Sequence, residues 1–296
     1  MLELLSEHGC FGGVQRFYRH ASTAVGLPMR FSVFLPPAAL AGVGTPRPAL
    51  FYLAGLTCTE ETFMIKGGAQ RLAAQLGLIL VAPDTSPRDT GIAGEADEWD
   101  FGVGAGFYLD ATQPPWNAHW RMESYVAGEL YDLVVGELGA DPERIGIFGH
   151  SMGGHGALVL AQRHRDRFRS VSAFAPIAAP SQCPWGEKAF SRYLGEDRAQ
   201  WLQYDATALM QAQAGAPFPG GILIDQGLAD KFLADQLHPQ AFEAACAAVG
   251  QPLTLRRHQG YDHGYYFIAT WMEDHLRHHA SQLGDGAPRA AGTPGN

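Results

Sequence analysis

The segment Gly149-His150-Ser151-Met152-Gly153 carries the pattern G-x-S-x-G. In a strand, turn and helix setting this pattern presents a serine hydroxyl as a nucleophile. In a chain with 36 glycines the string alone is weak, since roughly one such chain in six shows it by chance. Its surroundings give it weight. Arg144-Ile145-Gly146-Ile147-Phe148 reads as a buried strand, and Gly154-His155-Gly156-Ala157-Leu158-Val159-Leu160-Ala161 as a helix. A serine at such a turn takes a strained backbone conformation, and glycines two before and two after it let strand and helix approach. The helix N-terminus leaves backbone N–H groups unpaired, so Met152 N–H is a candidate donor to an oxyanion. The alternative is a glycine-rich turn whose exposed serine has no chemical use.

A second donor belongs on the loop after the strand Leu50-Phe51-Tyr52-Leu53, where Gly55-Leu56-Thr57 turns the backbone. Leu56 N–H is that candidate, against an ordinary strand-end turn. The serine also needs a general base, and in this architecture the order is nucleophile, acid, histidine. Of twelve histidines, eight follow Ser151. His155 and His164 fall on the helix after the serine, His258 continues a strand, and His275, His278 and His279 lie on a terminal helix expected to face solvent. His263 sits in Gln259-Gly260-Tyr261-Asp262-His263-Gly264, a loop able to carry an imidazole to the sheet's C-terminal edge. For the orienting acid, Asp225, Asp230 and Asp235 follow or end the preceding strand. Asp230 is preferred, because Asp225 still belongs to the strand and Asp235 is placed to cap a helix. Asp262 adjoins His263 and is expected to stabilise the loop.

Other patterns carry less. Gly102-Val103-Gly104-Ala105-Gly106 lacks the spacing and the preceding strand of a dinucleotide loop, and no cofactor is expected. The spacing of His275, His278 and His279 suits a metal, but a solvated helix face is the preferred reading and no metal is expected. Cys58, two residues past Leu56, is either a buried filler or a neighbour of the nucleophile. The four cysteines form no C-x-x-C pair, which points to free thiols in a reducing, cytoplasmic setting.

The elements that must position these groups alternate. Strand-like apolar runs are expected at 29–36, 48–54, 78–83, 144–149, 170–175, 221–226 and 253–258. Helices are expected at 68–76, 122–138, 154–163, 235–249 and 265–279. That alternation predicts an α/β fold, a mostly parallel central sheet with helices on both faces. The irregular stretch 85–121 is of a length that usually serves function, and 178–219 is a cap-like insertion. One domain over 1–280 is expected, with 281–296 too poor in large apolar groups to repay ordering.

The 296 residues are 46% hydrophobic and 17% charged, enough for a substantial core. A formal net charge of −9 argues against a nucleic-acid partner. No window is long and apolar enough to span a membrane, and Glu3, Glu7 and His8 at the start do not resemble a secretory leader.

Taken together, the segments resemble the S-formylglutathione hydrolase (esterase D) family of the α/β-hydrolases over most of the chain. The resemblance is carried by Leu53-Ala54-Gly55-Leu56-Thr57-Cys58-Thr59, Pro83-Asp84-Thr85-Ser86-Pro87-Arg88, Gly104-Ala105-Gly106-Phe107-Tyr108 and Gly149-His150-Ser151-Met152-Gly153-Gly154-His155-Gly156. Pro184-Trp185-Gly186, Ile224-Asp225-Gln226-Gly227 through Asp230, and Gly260-Tyr261-Asp262-His263 continue it in order. It departs at Ala54, Asp89 and Gly264, none of them in the triad.

The resemblance implies hydrolysis of S-formylglutathione to formate and glutathione, the second step of glutathione-dependent formaldehyde removal. It assigns Ser151, Asp230 and His263 as the triad and supports Leu56 and Met152 as the oxyanion hole. It places Cys58 near the nucleophile and suits a homodimer. The charged tripeptide is expected in a groove whose walls include Trp99, Trp185 and Phe232. A broad-specificity short-chain carboxylesterase is the first alternative, and a non-catalytic binding protein on the same scaffold the remote one.

Overall fold

A computed structural model describes residues 2–41 and 44–284. Nine strands form one sheet: β1 (Leu2–Cys10), β2 (Gly13–Ala21), β3 (Pro28–Leu35), β4 (Arg47–Leu53), β5 (Ile79–Pro83), β6 (Ala140–His150), β7 (Ser170–Phe174), β8 (Ile222–Gly227) and β9 (Leu253–His258). Their spatial order is β1-β2-β3-β5-β4-β6-β7-β8-β9. The first four in that order pair antiparallel, and every pairing from β5 and β4 through β9 is parallel.

All seven expected strands form. The hairpin β1–β2 was not expected, because its inward positions are not uniformly apolar. Gln15 and His20 of β2 are buried, and their polar atoms are satisfied instead of absent: Gln15 Nε2 donates to Val33 O (3.2 Å) and His20 Nε2 lies 3.1 Å from Tyr125 Oη. Phe11 and Gly12 both take positive φ (48° and 77°), the two-residue turn that matches strand twist.

The short helices α1 (Pro37–Ala41), α2 (Glu60–Lys66) and α3 (Gln70–Leu76) precede or flank β4 and β5. The expected helix at 122–138 divides into a wide helical turn (Ser124–Leu130) and α4 (Tyr131–Glu137). α5 (Met152–Arg163) joins β6 to β7. The cap region holds α6 (Pro184–Tyr193), α7 (Arg198–Trp201) and α8 (Ala206–Gln211), so the insertion expected at 178–219 is substantially helical. The helix expected from 235 starts later, as α9 (Pro239–Val249). Pro239 disfavours a helical residue before it, and His238 is left-handed at φ 47°.

Side chains alternate across the sheet. On β4, Phe51 stacks on Tyr131 of α4, whereas Tyr52 and its neighbour Phe148 on β6 face the other way, toward the last helix, α10 (Tyr265–Leu283). That helix corrects two expectations. It continues through 281–283, where a disordered tail was expected to begin; 285–296 lie outside the described residues. And two of its three histidines do not face solvent: His275 and His279 are fully buried, while His278 is half-buried.

The reason is that β7 and β8 present polar groups to α10. His279 lies 2.6 Å from Ser170 Oγ and 2.9 Å from Ser172 Oγ. His275 bridges Ser172 Oγ (2.8 Å) and Asp225 Oδ2 (3.0 Å). Asp225 also accepts a bidentate pair from Arg256 and lies 2.9 Å from His258 Nε2. Burial pushes the Asp225 carboxyl up, but the hydrogen bonds from His275 and Arg256 outweigh it and hold it well below the usual range. A sequence pattern sees polar residues and assigns water; here they satisfy one another inside.

Candidate active site

Ser151 joins β6 to α5 with φ 59° and ψ −119°, a region that strains any side-chain-bearing residue. Packing holds it there. Its N–H donates to Phe174 O (3.0 Å), and its carbonyl accepts from the N–H groups of His155 (2.9 Å) and Ile177 (3.2 Å). A Cβ on Gly149 would stand 2.3 Å from Gly153 O, and one on Gly153 only 1.9 Å from Leu53 O. The two motif glycines are therefore required by contact, as the spacing predicted.

His263 reaches this serine from the loop after β9, and its Nε2 lies 2.9 Å from Ser151 Oγ. Its Nδ1 lies 2.5 Å from Oδ2 of Asp230, whose side chain is fully buried beyond β8. Asp230 is itself held: Oδ1 accepts from Phe232 N–H (2.8 Å) and Oδ2 from Gln226 Nε2 (3.3 Å). A carboxylate at Nδ1 fixes the proton on that nitrogen and leaves Nε2 free to accept from the serine hydroxyl.

Of the three aspartates weighed, only Asp230 meets His263. Asp225 belongs to the α10 network, and Asp235 is exposed in the wide turn Leu233–Leu237. The helix cap expected of Asp235 is not formed, because α9 begins only after His238. Asp262 Oδ1 accepts from Gly264 N–H (2.9 Å), the loop-stabilising part expected of it.

Leu56 follows β4 on a loop pressed against the nucleophile; a Cβ on Gly55 would stand 3.2 Å from Ser151 Cβ. Among the described residues, neither Leu56 N–H nor Met152 N–H donates a hydrogen bond. Four neighbours pin the Leu56 loop. Tyr108 Oη donates to Ala54 O (2.8 Å), Thr57 N–H to Gly104 O (2.9 Å), and Thr85 Oγ1 (2.6 Å) and Arg88 Nη2 (3.2 Å) to Cys58 O. Arg88 is in turn oriented by both oxygens of Asp84.

Gly102-Val103-Gly104-Ala105-Gly106 thus has a structural use that sequence reasoning missed. Gly104 takes φ 78°, and a Cβ there would stand 3.1 Å from Thr57 Cα. Its glycines let one loop lie directly on the other. The clue was Gly104-Ala105-Gly106 recurring in the family strings, without any hint of its partner. Gln226 was missed as well, since a strand glutamine gives no sign of the carboxylate it will meet.

The expected groove residues form a row. Phe232 lies edge-on to the His263 ring at 5.0 Å, Trp185 packs on Phe232 at 4.7 Å, and Trp99 stands edge-on to Trp185 at 5.7 Å. Phe232 is half-buried, Trp185 is buried, and Trp99, at the end of the row, is 57% exposed. The row joins the long loop to the cap, where Lys188 Nζ pairs with Asp100 (2.5 Å) and with Glu98. Cys58 is half-buried; burial raises its thiol pKa, partly offset by contacts with Thr62 and Tyr265. No group of three or more potential metal ligands occurs among the described residues.

Residues 22–279 match the family described as putative esterase. An S-formylglutathione hydrolase of Mus musculus is 52% identical over 283 residues, covering 95% of this chain and 99% of that one. A solved S-formylglutathione hydrolase from Agrobacterium tumefaciens superposes with a TM-score of 0.91 at 49% identity, covering 95% of this chain and all of the other. The fluorophosphonate-binding serine hydrolase FphF of Staphylococcus aureus, 18% identical, covers 90% of this chain and 98% of its own with a TM-score of 0.72, a likeness of fold alone. The architecture is that of the α/β-hydrolases.

Proposed function

Because this chain belongs to the S-formylglutathione hydrolase family of putative esterases, we propose that it hydrolyses S-formylglutathione to formate and glutathione through Ser151, His263 and Asp230. The observation that carries the reading is the single line of contact from Asp230 Oδ2 through His263 to Ser151 Oγ, at 2.5 and 2.9 Å.

His263 Nε2 takes the Ser151 proton as Oγ attacks the formyl carbon. The carbonyl oxygen becomes an oxyanion facing the N–H groups of Leu56 and Met152. Each such donor is worth on the order of 10²–10³ in rate, because it is aimed before the charge develops. The positive end of α5 adds to it. The C–S bond then breaks. A thiol with a free pKa of about 8.5 departs readily as its thiolate, which then takes the imidazolium proton and leaves as the thiol, returning His263 to its neutral form. Water deprotonated by His263 attacks the formyl-serine, formate departs, and Ser151 recovers its proton. Asp230 holds the tautomer that both halves require.

Formate release from a glutathione adduct places the enzyme after the capture of formaldehyde by glutathione. Four free cysteines suit a reducing, cytoplasmic compartment.

The test is the ratio of kcat/KM for S-formylglutathione to that for p-nitrophenyl acetate. A ratio of several orders of magnitude is expected. Comparable constants would turn the reading to a general carboxylesterase, and no turnover of either would overturn it.

A further inference from the structure

The sequence holds three lysines against eighteen arginines. Lys188 is neutralised by Glu98 and Asp100 beside Trp99. The other two are not. Among the described residues, neither Lys66 nor Lys231 has a carboxylate within ion-pair distance, and each lies over an aromatic ring of the site. Lys231 Nζ stands 4.8 Å from the centre of Phe232, the ring that abuts His263. Lys66, the last residue of α2, has Nζ 5.9 Å from the centre of Tyr265. Tyr265 lies 6.2 Å from His150, and His150 lies 4.4 Å from His263. Both lysines are exposed; Lys231 is one ring from His263, through Phe232, and Lys66 two rings away, through Tyr265 and the buried His150.

We propose that Lys231 and Lys66 hold the two carboxylates of the glutathionyl group, one each, and so select an anionic tripeptide thioester over neutral esters. The proposal rests on the hydrolase reading above and adds the residues that choose the leaving group. Its chemistry is simple. The glutathionyl group has a carboxylate at each end and its sulfur near the middle, so with the thioester at Ser151 the carboxylates point outward in two directions. Each lies within about 10 Å of the sulfur in an extended chain. A protein with a net charge of −9 repels such a ligand at long range, and a local pair of cations corrects this at the mouth. Lysine can do this as a point charge on a flexible stem that meets a carboxylate in many orientations. A stem lying on Phe232 or Tyr265 is also partly preordered by cation–π attraction.

The test uses S-methylglutathione, which cannot be hydrolysed, as an inhibitor of p-nitrophenyl acetate turnover. That ester has no carboxylate, so it reports Ki at whatever rate a variant retains. Lys231→Met and Lys66→Met are each expected to raise Ki about tenfold. Lys231→Arg and Lys66→Arg should restore most of it, which a packing role would not predict. For S-formylglutathione the loss should fall on KM and spare kcat. Masking both carboxylates of S-methylglutathione as ethyl esters should weaken binding to the wild type and leave the double variant unaffected. A Ki within twofold of wild type in both single variants, or no inhibition of the wild type, would overturn the proposal. If the wild type fails to turn over S-formylglutathione, the functional reading falls, while the Ki series still decides the lysines.

Discussion

Asp230 presents its two carboxylate oxygens to different tasks: Oδ2 lies 2.5 Å from His263 Nδ1, and Oδ1 accepts the N–H of Phe232 two residues on. The acid is therefore fixed by its own turn before it orients the imidazole. Asp230→Asn keeps an oxygen for Phe232 N–H but turns its amide NH2 toward Nδ1. A donor there favours the tautomer with the proton on Nε2, which cannot accept from Ser151. We expect kcat to fall about 10⁴-fold with little change in KM, in line with the loss of an orienting carboxylate elsewhere. Steady-state kinetics on p-nitrophenyl acetate, with circular dichroism to verify folding, makes the comparison. A loss below tenfold would remove Asp230 from the triad.

The oxyanion loop offers a separate handle. Backbone N–H groups cannot be mutated, but the loop bearing Leu56 rests on Gly104, whose carbonyl accepts Thr57 N–H. Gly104→Ala puts a Cβ 3.1 Å from Thr57 Cα at a φ of 78°. Either the alanine is strained or the loop withdraws. We expect kcat to drop between about 10- and 100-fold, part of what one misplaced donor costs, with KM less affected. Unchanged kcat in a folded variant would show that Leu56 N–H is not aimed at the reacting oxygen.

What the sequence makes legible depends on how far a residue's reason lies along the chain. Gly149 and Gly153 flank Ser151 because strand and helix must cross there, a local constraint, and the structure returns it as contacts of 2.3 and 1.9 Å. Chain order and loop position single out His263 and Asp230 among eight histidines and three aspartates, and the fold brings these two into line with Ser151. The histidines of α10 were misread for the opposite reason. His275 and His279 are satisfied by Ser170, Ser172 and Asp225, which lie 50 or more residues away in sequence. A polar side chain is hidden or exposed according to partners that periodicity does not register. Gln15 and His20 concealed β2 in the same way.

Four histidines, His150, His155, His278 and His279, predict how the fold responds to acid. Burial, the largest influence at each, pushes His155 and His278 down to about 4 and His150 and His279 well below the ordinary imidazole range. All four are neutral in the folded chain, whereas an unfolded histidine titrates near 6.5. Between about pH 4 and 6.5 the unfolded chain therefore binds more protons, so stability rises with pH across that window and is lost as pH falls through it. Each of His155 and His278 withdraws about 1.4 kcal/mol by pH 5.5 and about 3 kcal/mol by pH 4. The ionised Asp225 acts lower: its depressed pKa contributes stability that is lost only as pH falls below about 3.9. Urea unfolding from pH 7.5 to 5 should thus show stability falling on acidification, with a net uptake of at least two protons. His278→Gln can retain a donor to Val171 O, which the imidazole approaches at 3.2 Å, yet it cannot be protonated. It should flatten the pH slope by about one proton while leaving the direction unchanged. An unaltered slope in the variant would place the proton uptake elsewhere, and a slope of opposite sign in the wild type would mean that these imidazoles are charged inside the fold.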